Sequence, residues 1–104
     1  MSGGAFDYKQ YNITEIARMC GQRLARNRAK GWITPEYAAK VEDVIRMTHR
    51  VYAHLHAVDY AFSGDTDWDE SFDRHVARLL DQAEKDAATD CEMKYDPSEE
   101  EEWP

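Results

Sequence analysis

Between Pro35 and Gly64 no glycine or proline interrupts the chain, and Val41, Val44, Thr48, Val51, Leu55, Val58 and Phe62 recur there in alternating steps of three and four. That period belongs to a helix, and it is sustained over three heptads. Thr34 and Pro35 open the run: the hydroxyl can cap orphan backbone N–H groups, and a proline at the first helical position gives up an N–H that has no partner there anyway. The sequence therefore predicts one helix of roughly thirty residues, with Leu55 buried in its seam. Tyr37, Ile45, Tyr52 and Ala61 sit beside the seam and widen the apolar stripe enough to receive helices on two sides.

The flanks supply those helices. Upstream, Asn12 or Thr14 can cap a helix in which Ile13, Ile16, Ala17, Cys20 and Leu24 share a face, and Gly31 ends it. Downstream, Ser63-Gly64-Asp65-Thr66-Asp67 reads as a turn, with Asp67 and Glu70 as an acidic capping pair. A third helix then starts near Trp68 and buries Phe72, Val76, Leu79, Leu80 and Ala83, leaving Arg74, His75 and Arg78 outside or at the edge. Ser2-Gly3-Gly4 is permissive backbone, and Phe6 and Tyr8, two apart, suit a short extended segment. Beyond Ala88 the apolar periodicity stops, and Asp90 to Pro104 is acidic. The expected fold is all-α: an extended N-terminal segment over 1–12, a three-helix domain over 13–88 with one long central helix, and a disordered acidic C-terminal tail over 89–104.

Charge divides the chain. Residues 1–58 hold nine basic and five acidic side chains, whereas residues 59–104 hold four and sixteen, for a formal total of −8. Such a balance repels phosphate backbones and argues against direct nucleic-acid binding. The basic group Arg18, Arg23, Arg26, Arg28 and Lys30 has its natural counterions inside the same molecule, among the downstream carboxylates. No apolar run approaches the ~20 residues that span a bilayer, and no basic-then-apolar leader opens the sequence, so a soluble cytoplasmic protein without a membrane partner is expected.

Residues that could carry chemistry are few. His49, His54 and His56 lie on the predicted long helix at separations of five and two, so no pair shares a helical face as metal ligands must. His56 with Asp59, joined by His75 from the next helix, is the one arrangement that could form a ligand, metal or catalytic site. Asp65, Asp67, Asp69 and Glu70 alternate as in a calcium loop, but the sixth and twelfth positions counted from Asp65 are Glu70 and Val76 instead of the required glycine and glutamate. Helix capping accounts better for these acids. Cys20 falls on an apolar stripe and Cys91 at the start of the tail, which predicts one buried and one exposed thiol. Trp32 and Trp68 flank helix starts, where packing is the expectation, whereas Trp103 stands in an acidic segment with no core to enter.

The opening Met1-Ser2-Gly3-Gly4-Ala5-Phe6-Asp7-Tyr8, together with His56-Ala57-Val58-Asp59-Tyr60-Ala61-Phe62-Ser63-Gly64-Asp65 and Glu70-Ser71-Phe72, resembles a group of small, largely uncharacterised proteins common in bacteriophage and prophage genomes. The resemblance implies a phage setting and transfers no functional residue. With no catalytic or cofactor motif in view, the expected role is binding rather than catalysis, without cofactor or metal. A small acidic helical protein of this kind would inhibit or modulate a host protein, such as a defence or nucleic-acid-processing factor, by occupying a basic surface. The expected contact residues are Asp65, Asp67, Asp69, Glu70, Asp73 and Trp103. Two alternatives stand beside it: a small-ligand or enzymatic site at His56, Asp59 and His75, and a structural, self-associating accessory protein. The two-sided apolar stripe of the long helix also predicts a homodimer.

Overall fold

The computed structural model describes residues 4–103, and among them helices and turns are the only regular structure. Ser2, Gly3 and Pro104 lie outside the described residues. Helix α1 spans Tyr11–Ala29, α2 Pro35–Phe62, α3 Glu70–Cys91 and α4 Pro97–Glu100. Thr34 caps α2 by accepting from the Tyr37 N–H at 3.4 Å, with Pro35 in the first turn. Both α1 and α2 end in the same way. Gly31 (φ +70°) and Gly64 (φ +82°) take the left-handed conformation, and the next residues, Trp32 and Asp65, donate back to Asn27 and Tyr60 at 2.9 Å. These are Schellman closures, for which a side chain at either glycine would be strained. No helix among the described residues is long and apolar enough to cross a membrane.

The helices form a thin slab of 48 × 27 × 15 Å, and its interior is lined mainly by alanine. Ala17, Ala25, Ala38, Ala53, Ala57, Ala61, Ala83 and Ala87 are buried, whereas among the described residues Leu24 and Ile45 are the only large aliphatic side chains buried with them. Small residues let helix backbones approach closely. Gly21 goes furthest: a Cβ there would sit 2.5 Å from the Asp90 carbonyl oxygen, so only glycine admits the end of α3 against α1.

This packing corrects the expected seam. The face of α2 turned to its neighbours carries Ala38, Ile45, His49, Ala53 and His56, while Val44 and Val51 remain 47% and 51% exposed and Leu55 is only partly buried. The seam lies beside the buried face because α1 and α3 dock over the small residues, so that Val41 still packs against the core while Val44 and Val51 are left outside. On α3 likewise His75 is buried, while Phe72, Val76, Leu79 and Leu80 are only partly so.

Polar pairs tie the slab together. His49 Nε2 donates to Asp90 Oδ2 at 2.6 Å in a buried contact between α2 and α3. Asp59 is fully buried, and its two oxygens accept from the Ala5 N–H at 2.7 Å and from Gln10 Nε2 at 2.8 Å. These bonds explain why the N-terminal segment is a succession of turns instead of extended chain. It wraps the end of α2, with Asp7 and Tyr8 at positive φ and with Phe6 edge-on to Phe62. Helix α1 begins at Tyr11, ahead of Asn12 and Thr14, and Thr14 bonds back to Tyr11 instead of capping.

The C-terminal segment also departs from expectation. Helix α3 continues to Cys91, whose thiol is buried, and Cys20 is the partly exposed one. Asp96 then caps α4 from ahead of Pro97, repeating the Thr34-Pro35 device. Glu100 pairs with Arg26 at 2.5 Å and accepts from the Tyr95 hydroxyl, and Trp103 stacks on Arg23 and Arg26 at 5.0 and 5.4 Å. A segment too acidic to form a core is ordered by the arginines of α1.

Candidate partner-binding surface

The turn between α2 and α3 is shaped by local chemistry. After the Gly64 closure, Asp69 caps α3: its carboxylate accepts from the Ser71 N–H at 2.8 Å and from the Ser71 hydroxyl at 2.7 Å. Those two bonds hold the Asp69 carboxyl below its ordinary range, so it stays ionised at the positive end of the helix. The cap is Asp69, two residues after the expected Asp67, and α3 starts correspondingly later than Trp68. Asp65, Asp67, Asp69, Glu70 and Asp73 are all exposed.

Beside these carboxylates runs a ladder of rings. Phe62 meets Trp68 at 5.3 Å edge-on, and Trp68 meets Phe72 at 5.2 Å, with Phe6 on the far side of Phe62 at 6.3 Å. Phe62 and Trp68 are 63% and 60% exposed. Large aromatic side chains held in water and ringed by charge are costly unless they meet a partner, and tryptophan is the residue type most enriched at binding hot spots.

A second feature adjoins the turn. An open groove of about 920 Å³ is lined by Tyr60, Asp65, Asp67, Ser71, Arg74, His75 and Arg78, so both signs of charge face it. Behind it a string of rings runs from Tyr11 through Tyr52, His56 and Tyr60 to His75, with centroids 4.6 to 5.8 Å apart. Burial pushes the His56 and His75 imidazoles below their ordinary value, and Arg78 adds to the effect at His75, so both are neutral near pH 7. Burial likewise raises the Tyr52 hydroxyl to about 12.

The residues singled out from sequence separate into three places. Asp65, Asp67, Asp69, Glu70 and Asp73 share the α2–α3 end. Trp103 packs against α1 beside Arg26, and Arg26 also stands 5.8 Å over the Trp32 ring, at the opposite end of α2. The 28 residues of α2, ~42 Å at 1.5 Å each, lie between the two sites. His56 and His75 do meet, with ring centroids at 6.2 Å, but both oxygens of Asp59 are engaged by Ala5 and Gln10. Among the described residues no group of three or more histidine, cysteine or acidic side chains is placed to hold a metal ion. Sequence reasoning missed Phe62 and Trp68 as exposed rings because each occupies a position where packing is the rule. Comparison with protein-family models, curated proteins and solved structures finds no match.

Proposed function

We propose that this chain is a binding protein of phage type that occupies a basic surface of a host protein and so inhibits or modulates it, with the α2–α3 end as the contact. The observation that carries the reading is the exposed pair Phe62 and Trp68 set among five exposed carboxylates. The rings supply an apolar anchor, and the carboxylates steer the molecule to a cationic patch and reject acidic ones. The phage setting rests on the two sequence blocks that open the chain and end α2. Trp103, folded onto α1, belongs to a separate surface.

The test is capture from a host-cell extract on the immobilised full chain, compared with D67K/E70K/D73K. A protein retained by the wild-type chain, released by salt because exposed charge is screened, and lost from the reversed variant agrees with the proposal. Equal retention by both chains refutes it. A second reading, a small ligand at the groove, is favoured by His75 Nδ1, a buried nitrogen without a hydrogen-bond partner. It requires that H75A abolish activity while the charge reversals leave it intact, the opposite pattern.

A further inference from the structure

We infer that the outer face of α2 is the seam of an antiparallel homodimer. Heptad spacing is the sequence pattern by which one helix packs along another, and here the helices of the same chain use only part of it: Val41 packs against the core, but Val44 and Val51, with Met47 beside them, stand about half exposed while alanines fill the interior. The strip runs from Tyr37 to Val58, ~32 Å of helix axis and ~320 Å² at one helix diameter, and stops ahead of the Phe62–Trp68 contact. The flank of α1 carrying Ile16, 56% exposed, adds ~280 Å² over its 19 residues. The ~600 Å² per copy meets the lower bound of a specific interface, ~1,200 Å² in total.

Charge selects the occupant and the orientation. The strip carries no acidic residue in a molecule whose formal charge is −8, so it is the surface on which two copies can meet without carboxylates facing each other. Its one formal charge, Lys40, lies at the N-terminal end, whereas the exposed Asp65 and Asp67 follow its C-terminal end. Antiparallel pairing sets Lys40 of one copy toward those carboxylates of the other, and parallel pairing would set the two acidic turns side by side. The antiparallel register that engages most of the heptad positions places Thr48 opposite Val51 across the two-fold axis.

The test uses the full chain. Sedimentation equilibrium at tens of micromolar is expected to give twice the 12.1 kDa chain mass. V44E/V51E, changing two side chains that the monomer leaves in water, is expected to weaken association ~100-fold or more while keeping the helical circular dichroism spectrum. Should that variant lose its spectrum, V51K alone makes the same comparison. A carbodiimide, which joins an amine directly to a carboxylate with loss of water, should link Lys40 to Asp65 or Asp67 between copies. A monomeric wild-type chain, a dimer untouched by these substitutions, or links from Lys40 to Glu36 or Asp43 of the other copy would overturn the inference.

Discussion

Replacing Asp59 tests how the N-terminal segment is held. The side chain is fully buried and accepts two hydrogen bonds, from the Ala5 N–H at 2.7 Å and from Gln10 Nε2 at 2.8 Å. Bonds to a charged acceptor contribute about 1.5 to 3 kcal/mol each, so Asp59→Ala should destabilise the fold by about 3 to 5 kcal/mol, a large part of the total for a chain of this size. Asp59→Asn should cost much less, about 1 to 2 kcal/mol. Its oxygen can still accept from Ala5, and Gln10 can turn its amide so that Oε1, buried and without a partner, receives the new N–H. Urea unfolding followed by circular dichroism reads both, and with a slope near 2 kcal/mol/M the alanine variant should lose about 2 M in midpoint. Amide exchange at Ala5 should rise in the same variant. A loss below 1 kcal/mol for Asp59→Ala, or equal losses for alanine and asparagine, would refute the assignment of Asp59 as a hydrogen-bonding anchor.

Gly21→Ala gains helix propensity of about 1 kcal/mol but forces a Cβ to within 2.5 Å of the Asp90 carbonyl, so a net loss of about 1 to 2 kcal/mol is expected in the same assay. Burial lowers the folded-state affinity of His56 and His75 for protons, so the unfolded chain takes them up first. Stability should be complete above pH ~6.5 and fall as pH drops below it, and replacing both by glutamine should flatten that slope in unfolding curves at pH 7.5 and 5.5. Trp103→Ala removes stacking on two arginines, at about 0.5 to 1 kcal/mol each, and should hasten cleavage after Glu99 to Glu102 by a glutamate-specific protease without changing the rest of the helical signal.

The parts of the fold legible in the sequence are those set by neighbours in the chain. Thr34-Pro35 marks the start of α2 and Gly31 and Gly64 mark helix ends, because caps and left-handed closures involve residues a few positions apart. Periodicity also shows that the chain is helical. It does not show which side of α2 turns inward, since a stripe of valines looks more like a core than a stripe of alanines does, and close docking over Ala38, Ala53 and Ala57 reverses that ranking. The pairs His49–Asp90 and Asp59–Gln10 join residues 41 and 49 apart, and no local pattern announces them. In the C-terminal segment Asp96-Pro97 repeats the cap seen at Thr34-Pro35, a signal that its acidic composition masked. At the candidate surface the carboxylates are legible as charge, but the exposure of Phe62 and Trp68 depends on where α1 and α3 begin.

The most direct measurement is the affinity of W68A for the captured host protein, set against the wild-type chain by isothermal titration, with far-ultraviolet circular dichroism on both. Trp68 is 60% exposed and lies between Phe62 and Phe72, so its loss should leave the helical spectrum intact. A hot-spot tryptophan contributes about 2 kcal/mol or more, and the dissociation constant should rise about 30-fold. A folded W68A chain that binds within two-fold of the wild type would contradict the assignment of the α2–α3 end as the contact.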